Sequence, residues 1–217
     1  MVLVFSGSAV AETVTLEAGR DATLIEDAEG AWANGSGPSF FVGRTAQQRG
    51  SIRRGLLYFD VAAVVPRRAI IERVRLTLFA KPANDVEREV RLVRVLADWG
   101  EGPSASSGGG GRPSEPGDAT WIHTFFDGET WVRPGGQFLG SASATRTVAG
   151  AGLYTWDSTN RLVNDVRHWS DAPGRNFGWI LIGDETAPQT AKNFGSREDP
   201  VPARRPTLEI TYRLPGR

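Results

Sequence analysis

The stretch ERVRLTLFA, Glu72 to Ala80, alternates with a period of two: Val74, Leu76 and Leu78 point one way, Arg73, Arg75 and Thr77 the other. That is the pattern of an antiparallel strand with one face on a core and one in water. It returns in EVRLVRVL, where Val90 and Leu92 share a face, and in TLEITYRL, where Leu208, Ile210 and Tyr212 oppose Glu209, Thr211 and Arg213. WILIG, Trp179 to Gly183, is apolar on both sides, as is RRGLLYFDV around Leu56 to Val61; both predict strands covered on two faces. Shorter candidates are TVTLEA, DATLIED, FFVGR, TWIHTFF, SATRTV and LYTW, bounded by turn residues. Roughly a dozen strands predict an all-β fold, an antiparallel sandwich or jelly roll. One segment departs from this period. Leu162, Val163, Val166 and Trp169 recur at helical spacing behind Ser158 or Thr159 as N-cap, and Pro173 and Gly174 follow. They predict one short amphipathic helix, about 158–169, packed on the sandwich.

Between Asp98 and Trp121 the chain reads DWGEGPSASSGGGGRPSEPGDATW, with four consecutive glycines. A domain boundary here would leave each half with exposed sheet edges and no complete core, because WILIG and TLEITYRL are needed to fill the core begun by the earlier strands. We therefore expect one domain over 12–217, with a mobile glycine-rich loop at about 103–117 between ordered shoulders. Lysine plus arginine balances aspartate plus glutamate at 25 each, so no net field draws nucleic acid or anionic lipid. Cysteine is absent, which excludes disulfides and thiolate metal sites. The N-terminal MVLVFSGSAVAE is apolar, then small, and ends in Ala9-Val10-Ala11; residues 1–11 read as the remnant of a secretory signal peptide, with a buried first strand as the alternative. Secretion is the expected destination. No later run approaches the roughly 20 apolar residues of a membrane span.

The chemistry-bearing residues fall into three groups. Trp32, Trp99, Trp121 and Trp131 lie beside loops rich in Gly, Asp and Glu and are candidate stacking platforms for sugar rings. The alternative for each is a plug at an end of the sandwich. Trp156, Trp169 and Trp179 follow strand or helix periodicity and belong to the core. Arg44, Arg49, Arg53 and Arg54 cluster in GRTAQQRGSIRRG, where they could clamp carboxylates of an acidic polysaccharide or form a solvated, ion-paired face. Asp21, Glu26, Asp27, Asp184, Glu185, Glu198 and Asp199 supply hard oxygen ligands for a structural calcium ion, though without EF-hand spacing; each is otherwise a turn or cap residue. Asp60, which follows an apolar strand in YFDV, is expected to accept backbone N–H bonds at the strand end. His123 with Tyr154, Arg146 and Arg161 offers the residue types of a polysaccharide lyase, without a fuller motif. No GxSxG elbow, HExxH or P-loop is present.

The segments GLLYFDVAAVVPRRAIIERVRLTLFA, VRLVRVLADWGEG, LYTWDSTNRLVNDVRHW, NFGWILIGDE, AKNFGSREDP and RRPTLEITY, in this order, resemble the DNRLRE, or disaggregatase-related, domain family. The resemblance covers nearly the whole chain after residue 11. It implies a secreted bacterial or archaeal β-sandwich of jelly-roll type, often attached to polysaccharide-active enzymes or surface proteins. In carbohydrate-binding members it implies recognition of sugar or uronate polymers, sometimes with bound calcium.

Two function classes follow from the sequence. The first is a secreted, non-catalytic module that binds polysaccharide or a cell-surface glycan. The second is a structural or adhesive subunit that self-associates through edge strands; a lyase ranks below both. The first predicts at least two of Trp32, Trp99, Trp121 and Trp131 exposed on one surface. The second predicts buried tryptophans and an exposed edge strand.

Overall fold

The computed structural model describes residues 10–215, so all but the last two residues of the expected signal remnant lie outside the described residues. Wherever the sequence alternates, the chain is extended. The strands are β1 (Glu12–Glu17), β2 (Arg20–Ile25), β3 (Trp32–Asn34), β4 (Ser39–Arg44), β5 (Ile52–Tyr58), β6 (Ile70–Lys81), β7 (Arg88–Arg94), β8 (Arg112–Pro113), β9 (Ala144–Val148) and β10 (Gly152–Trp156). The helix α1 (Asn160–Asp171) comes next, and β11 (Trp179–Ile182), β12 (Lys192–Gly195) and β13 (Thr207–Arg213) complete the fold.

All pairings are antiparallel and build an all-β sandwich. In one layer β6 is central: Leu76 and Thr77 pair with Leu208 and Thr207 of β13 and also with Trp156 and Thr155 of β10, so these two strands flank it. β1 extends this layer beyond β13, and β12 joins β6 to β4. The other layer runs β8-β3-β2-β5-β11-β7-β9. β4 belongs to both, since Ser39–Val42 pair with β12 while Gly43 and Arg44 pair with β5. The change of layer needs Gly43, whose φ is +106° and whose missing Cβ would lie 3.0 Å from Thr190 O.

The alternation decides what fills the space between the layers. Val74, Leu76, Leu78, Leu208 and Ile210 from one layer meet Leu57, Val90, Leu92, Trp179 and Leu181 from the other. Each fully buried Leu or Ile there contributes about 1.5–3 kcal/mol. α1 covers one end. The Thr159 side chain accepts from Leu162 N, and Leu162, Val166 and Trp169 are fully buried, with Trp169 edge-on to Trp179 at 4.5 Å between ring centroids. Trp156, Trp169 and Trp179 are thus core, as their periodicity predicts.

The apolar residues on the other face of WILIG have a separate cover. Ala22, Leu24, Leu56, Val93, Ile180 and Ile182 form a second core on the outside of the β5-β11-β7 layer, closed by Trp99, Ala119 and Trp131. Residues 95–143 therefore lie over the sheet, with only β8 as regular structure. TWIHTFF, expected as a strand, is not one: residues 121–126 pass through turns, with a single bridge between His123 and Thr130. Its aromatic residues lack a period of two, and it folds over the sheet face instead of pairing along an edge. The glycine run is held at several points. Asn34 Oδ1 accepts from Ser106 N at 2.8 Å, Asp118 Oδ1 accepts from Ser104 N at 3.2 Å, and Gly109 O accepts from the Arg53 guanidinium. Asp60, expected to collect backbone N–H groups, makes no side-chain cap bond and is exposed. Among the described residues no helix is long and apolar enough to cross a membrane.

Candidate functional site

Of the four tryptophans expected as platforms, two are buried. Trp99 is 0% exposed and donates from Nε1 to Phe177 O, and Trp131 is 5% exposed and donates to Thr120 O. Both seal the second core, so neither can stack on a ligand. Trp121 is half-buried, and the Arg54 guanidinium lies over its ring at 4.8 Å, occupying the face a sugar would need. Of the four, Trp32 alone is exposed, at 43%, so the exposed pair expected of a glycan-binding module is not present. Its place on β3 is fixed by pairing to Pro113 of β8, while the following residue, Ala33, pairs with Leu24 of β2.

Trp32 borders a polar cleft of about 410 Å³, lined also by Glu26, Asp27, Gln47, Arg49 and Arg53, with Gly110 of the glycine run at its rim. Glu26 Oε2 accepts from the amides of Ser51 and Ile52, and Asp27 Oδ1 from those of Glu29 and Ala31. Each carboxylate thus keeps its second oxygen free of protein donors among the described residues. The Gln47 carbonyl is occupied by Arg53 Nη2 at 2.9 Å, which leaves the Gln47 amide NH2 as a donor. The cleft offers an indole face, two acceptor oxygens, an amide donor and the Arg49 guanidinium.

The four arginines do not act as one clamp. Arg53 is 1% exposed and donates to Gly50 O, Ile52 O, Gln47 Oε1 and Gly109 O; burial lowers its pKa to about 10, which leaves it charged at neutral pH. It is a cross-link between β5 and the glycine run. Arg54 grips both carboxylate oxygens of Glu185 at 2.7 and 3.0 Å and donates to Gly135 O. Arg44 donates to Ser51 Oγ and Thr186 O. Arg49 is exposed and has no protein partner among the described residues.

The acids expected as calcium ligands separate as well. Glu26 and Asp27 fix turns beside the cleft and Glu185 is held by Arg54. Asp184 accepts from Thr186 and Ala187, and the Thr186 hydroxyl is the main reason its pKa lies below the ordinary carboxylate value. Asp199 is buried against Lys81 Nζ at 3.0 Å. Asp21 and Glu198, however, meet, and Glu101 joins them: one oxygen from each lies within 4.8 Å of the others. Arg197 organises the group, forking onto Glu101 at 2.8 and 2.7 Å, reaching Glu198 Oε1 at 2.8 Å, and donating its backbone N–H to Asp21 Oδ2 at 2.7 Å. Burial pushes the pKa of Asp21 well up, with Glu198 and Glu101 adding to the rise, and burial raises Glu198 too. Glu101 and Arg197 were not among the expected ligands. Glu101 read only as part of a loop shoulder, and nothing local in the sequence marks its partner.

The residues of a lyase do not converge. His123 Nδ1 is 3.0 Å from Thr120 Oγ1 and its ring meets Phe126 edge-on, within the segment over the second core. Tyr154 and Arg146 line a different cavity on β9 and β10, and the Tyr154 hydroxyl is held by Ala149 N and Gly150 O. Arg161 donates to Ala142 O. No protein-family model matches the chain, and no curated protein matches it.

Proposed function

We propose that the protein is a secreted, non-catalytic module of the DNRLRE type that binds a polysaccharide or surface glycan in the Trp32 cleft. The observation that supports this reading is the exposed indole beside free acceptors and donors. A pyranose presents an apolar C–H face to an aromatic ring and a rim of hydroxyls to polar groups, and the cleft supplies both kinds of contact. Arg49 adds a charge suited to a uronate carboxylate. The test is titration calorimetry of the protein with neutral and acidic polysaccharides. Trp32→Ala should weaken binding at least about tenfold, roughly the 1.4 kcal/mol of one stacking contact, with the unfolding midpoint unchanged. Arg49→Ala should affect acidic polymers selectively. Binding that survives Trp32→Ala would refute the reading.

A second reading draws on the burial of Trp99 and Trp131 and on the outer edges of β1 and β9, which pair with no further strand among the described residues. These features suit a structural or adhesive module that associates edge to edge. Failure to bind any polymer, with concentration-dependent assembly in sedimentation, would favour it.

A further inference from the structure

The cluster of Asp21, Glu101 and Glu198 lies outside the Trp32 cleft and takes no part in the glycan reading. It joins three distant pieces of chain: the start of β2, the DWGEG shoulder of the glycine-rich segment, and the turn after β12. We propose that these three carboxylates hold one hard divalent cation of calcium's class. Acidic clusters are common on protein surfaces, but here a second observation points to a ligand. Asp21 is 1% exposed, and its Oδ1 has no hydrogen-bond partner; Glu198 Oε2, also buried, has none either. Buried carboxylate oxygens without a donor are costly and rare.

Charge favours a divalent ion. Three carboxylates meet the single guanidinium of Arg197, so when ionised they exceed it by two negative charges. Arg197 prepares the ligands: its fork fixes Glu101 and its backbone N–H fixes Asp21. One oxygen from each carboxylate lies within 4.8 Å of the others, close enough for all three to be drawn onto a single ion. Magnesium, which gives up its waters reluctantly and demands near-octahedral geometry, is the poorer match to a site built of side chains.

The test uses the whole chain after treatment with chelator and the metal ions alone. Titration with calcium should give one site, and the thermal midpoint should rise with calcium concentration. Magnesium should bind at least tenfold more weakly. Asp21→Asn and Glu198→Gln should each weaken calcium binding tenfold or more, while Asp184→Asn should leave it unchanged. If Asp21→Asn does not fold, Glu198→Gln, whose side chain is 23% exposed, carries the comparison. No uptake and no midpoint shift at about 10 mM calcium, weaker than even extracellular modules, would overturn the proposal. Uptake unchanged in both variants would overturn it equally, as would stabilisation by acid alone, which would assign the orphan oxygens to a shared proton. No glycan enters these measurements, so their outcome is independent of the Trp32 cleft.

Discussion

Lys192 of β12 is 2% exposed, and its Nζ faces Val86 O at 2.6 Å, Ala149 O at 2.8 Å, Asn84 Oδ1 at 2.9 Å and Asn84 O at 3.0 Å. All four acceptors are neutral, so the ammonium is retained by hydrogen bonds and not by an ion pair. Through it β12 holds the loop before β7 and the turn between β9 and β10. Lys192→Met keeps most of the apolar stem and removes the charge. Each bond from a charged donor is worth about 1.5–3 kcal/mol, and an ammonium has three protons; against this, methionine recovers several kcal/mol of ammonium desolvation. The loss also has a ceiling. Asp85, Val86 and Glu87 are exposed, so their loop can open and return its carbonyls to water. We predict a destabilisation of about 2–3 kcal/mol, or a fall of about 1–1.5 M in the urea midpoint for a slope near 2 kcal/mol/M. Unfolding followed by tryptophan fluorescence at neutral pH reads this directly, because the core indoles become wet. A fall below about 0.3 M would mean that the acceptors find other donors and that Lys192 is not the tie between these loops.

Two further changes test the helix side of the core. Asp165 of α1 accepts from Ser143 Oγ and from Trp179 Nε1 at 2.9 Å; burial raises its pKa above the ordinary 3.8, against the pull of these donors and of Arg94. Its contribution is therefore fully present below about 3.8 and is lost as pH rises through the folded value, where the native carboxyl ionises in a dry site. Asp165→Asn, which cannot ionise, should flatten that part of the curve of urea midpoint against pH; equal slopes in both proteins would count against the assignment. Thr159→Ala removes both the N-cap bond to Leu162 N and the hydroxyl donor to Ser143 O, and should cost about 1–2 kcal/mol in the same melt, with a change under about 0.3 kcal/mol contradicting it.

What the sequence made legible was whatever repeats locally. Val74, Leu76 and Leu78 alternate because one pleated face meets the core, and Leu162, Val166 and Trp169 recur by turns because one helix face does. WILIG showed that both faces would be covered, but nothing in it said by what. The answer lies in residues 95–143, where burial depends on a distant sheet and leaves no period to read. Trp99 and Trp131 therefore read equally as stacking platforms or as plugs until the second core is seen. The acid cluster was hidden for a related reason. Glu101 and Arg197 are 96 positions apart, and only the crossing of the glycine-rich shoulder with the end of β12 brings them together. The same shoulder also runs close over the turn after β3, where a Cβ on Gly35 would overlap the carbonyl of Glu101.

A cover of irregular chain over a sheet raises a physical problem that this sequence solves with cations. The segment over the second core cannot satisfy its carbonyls through a ladder, and the absence of cysteine rules out stapling by disulfides. Arginines on the sheet reach outward instead: Arg20 to Trp99 O, Arg53 to Gly109 O and Arg54 to Gly135 O. Two of them also stack on aromatics of the region they hold, Arg20 on Trp99 at 4.8 Å and Arg54 on Trp121 at 4.8 Å. An arginine suits this role because its fork donates in several directions and stays charged when partly buried. This explains why the basic run at 44–54 is a poor polyanion clamp. Its charge is turned largely inward onto backbone and Glu185, and of the four arginines Arg49 alone has no protein partner among the described residues.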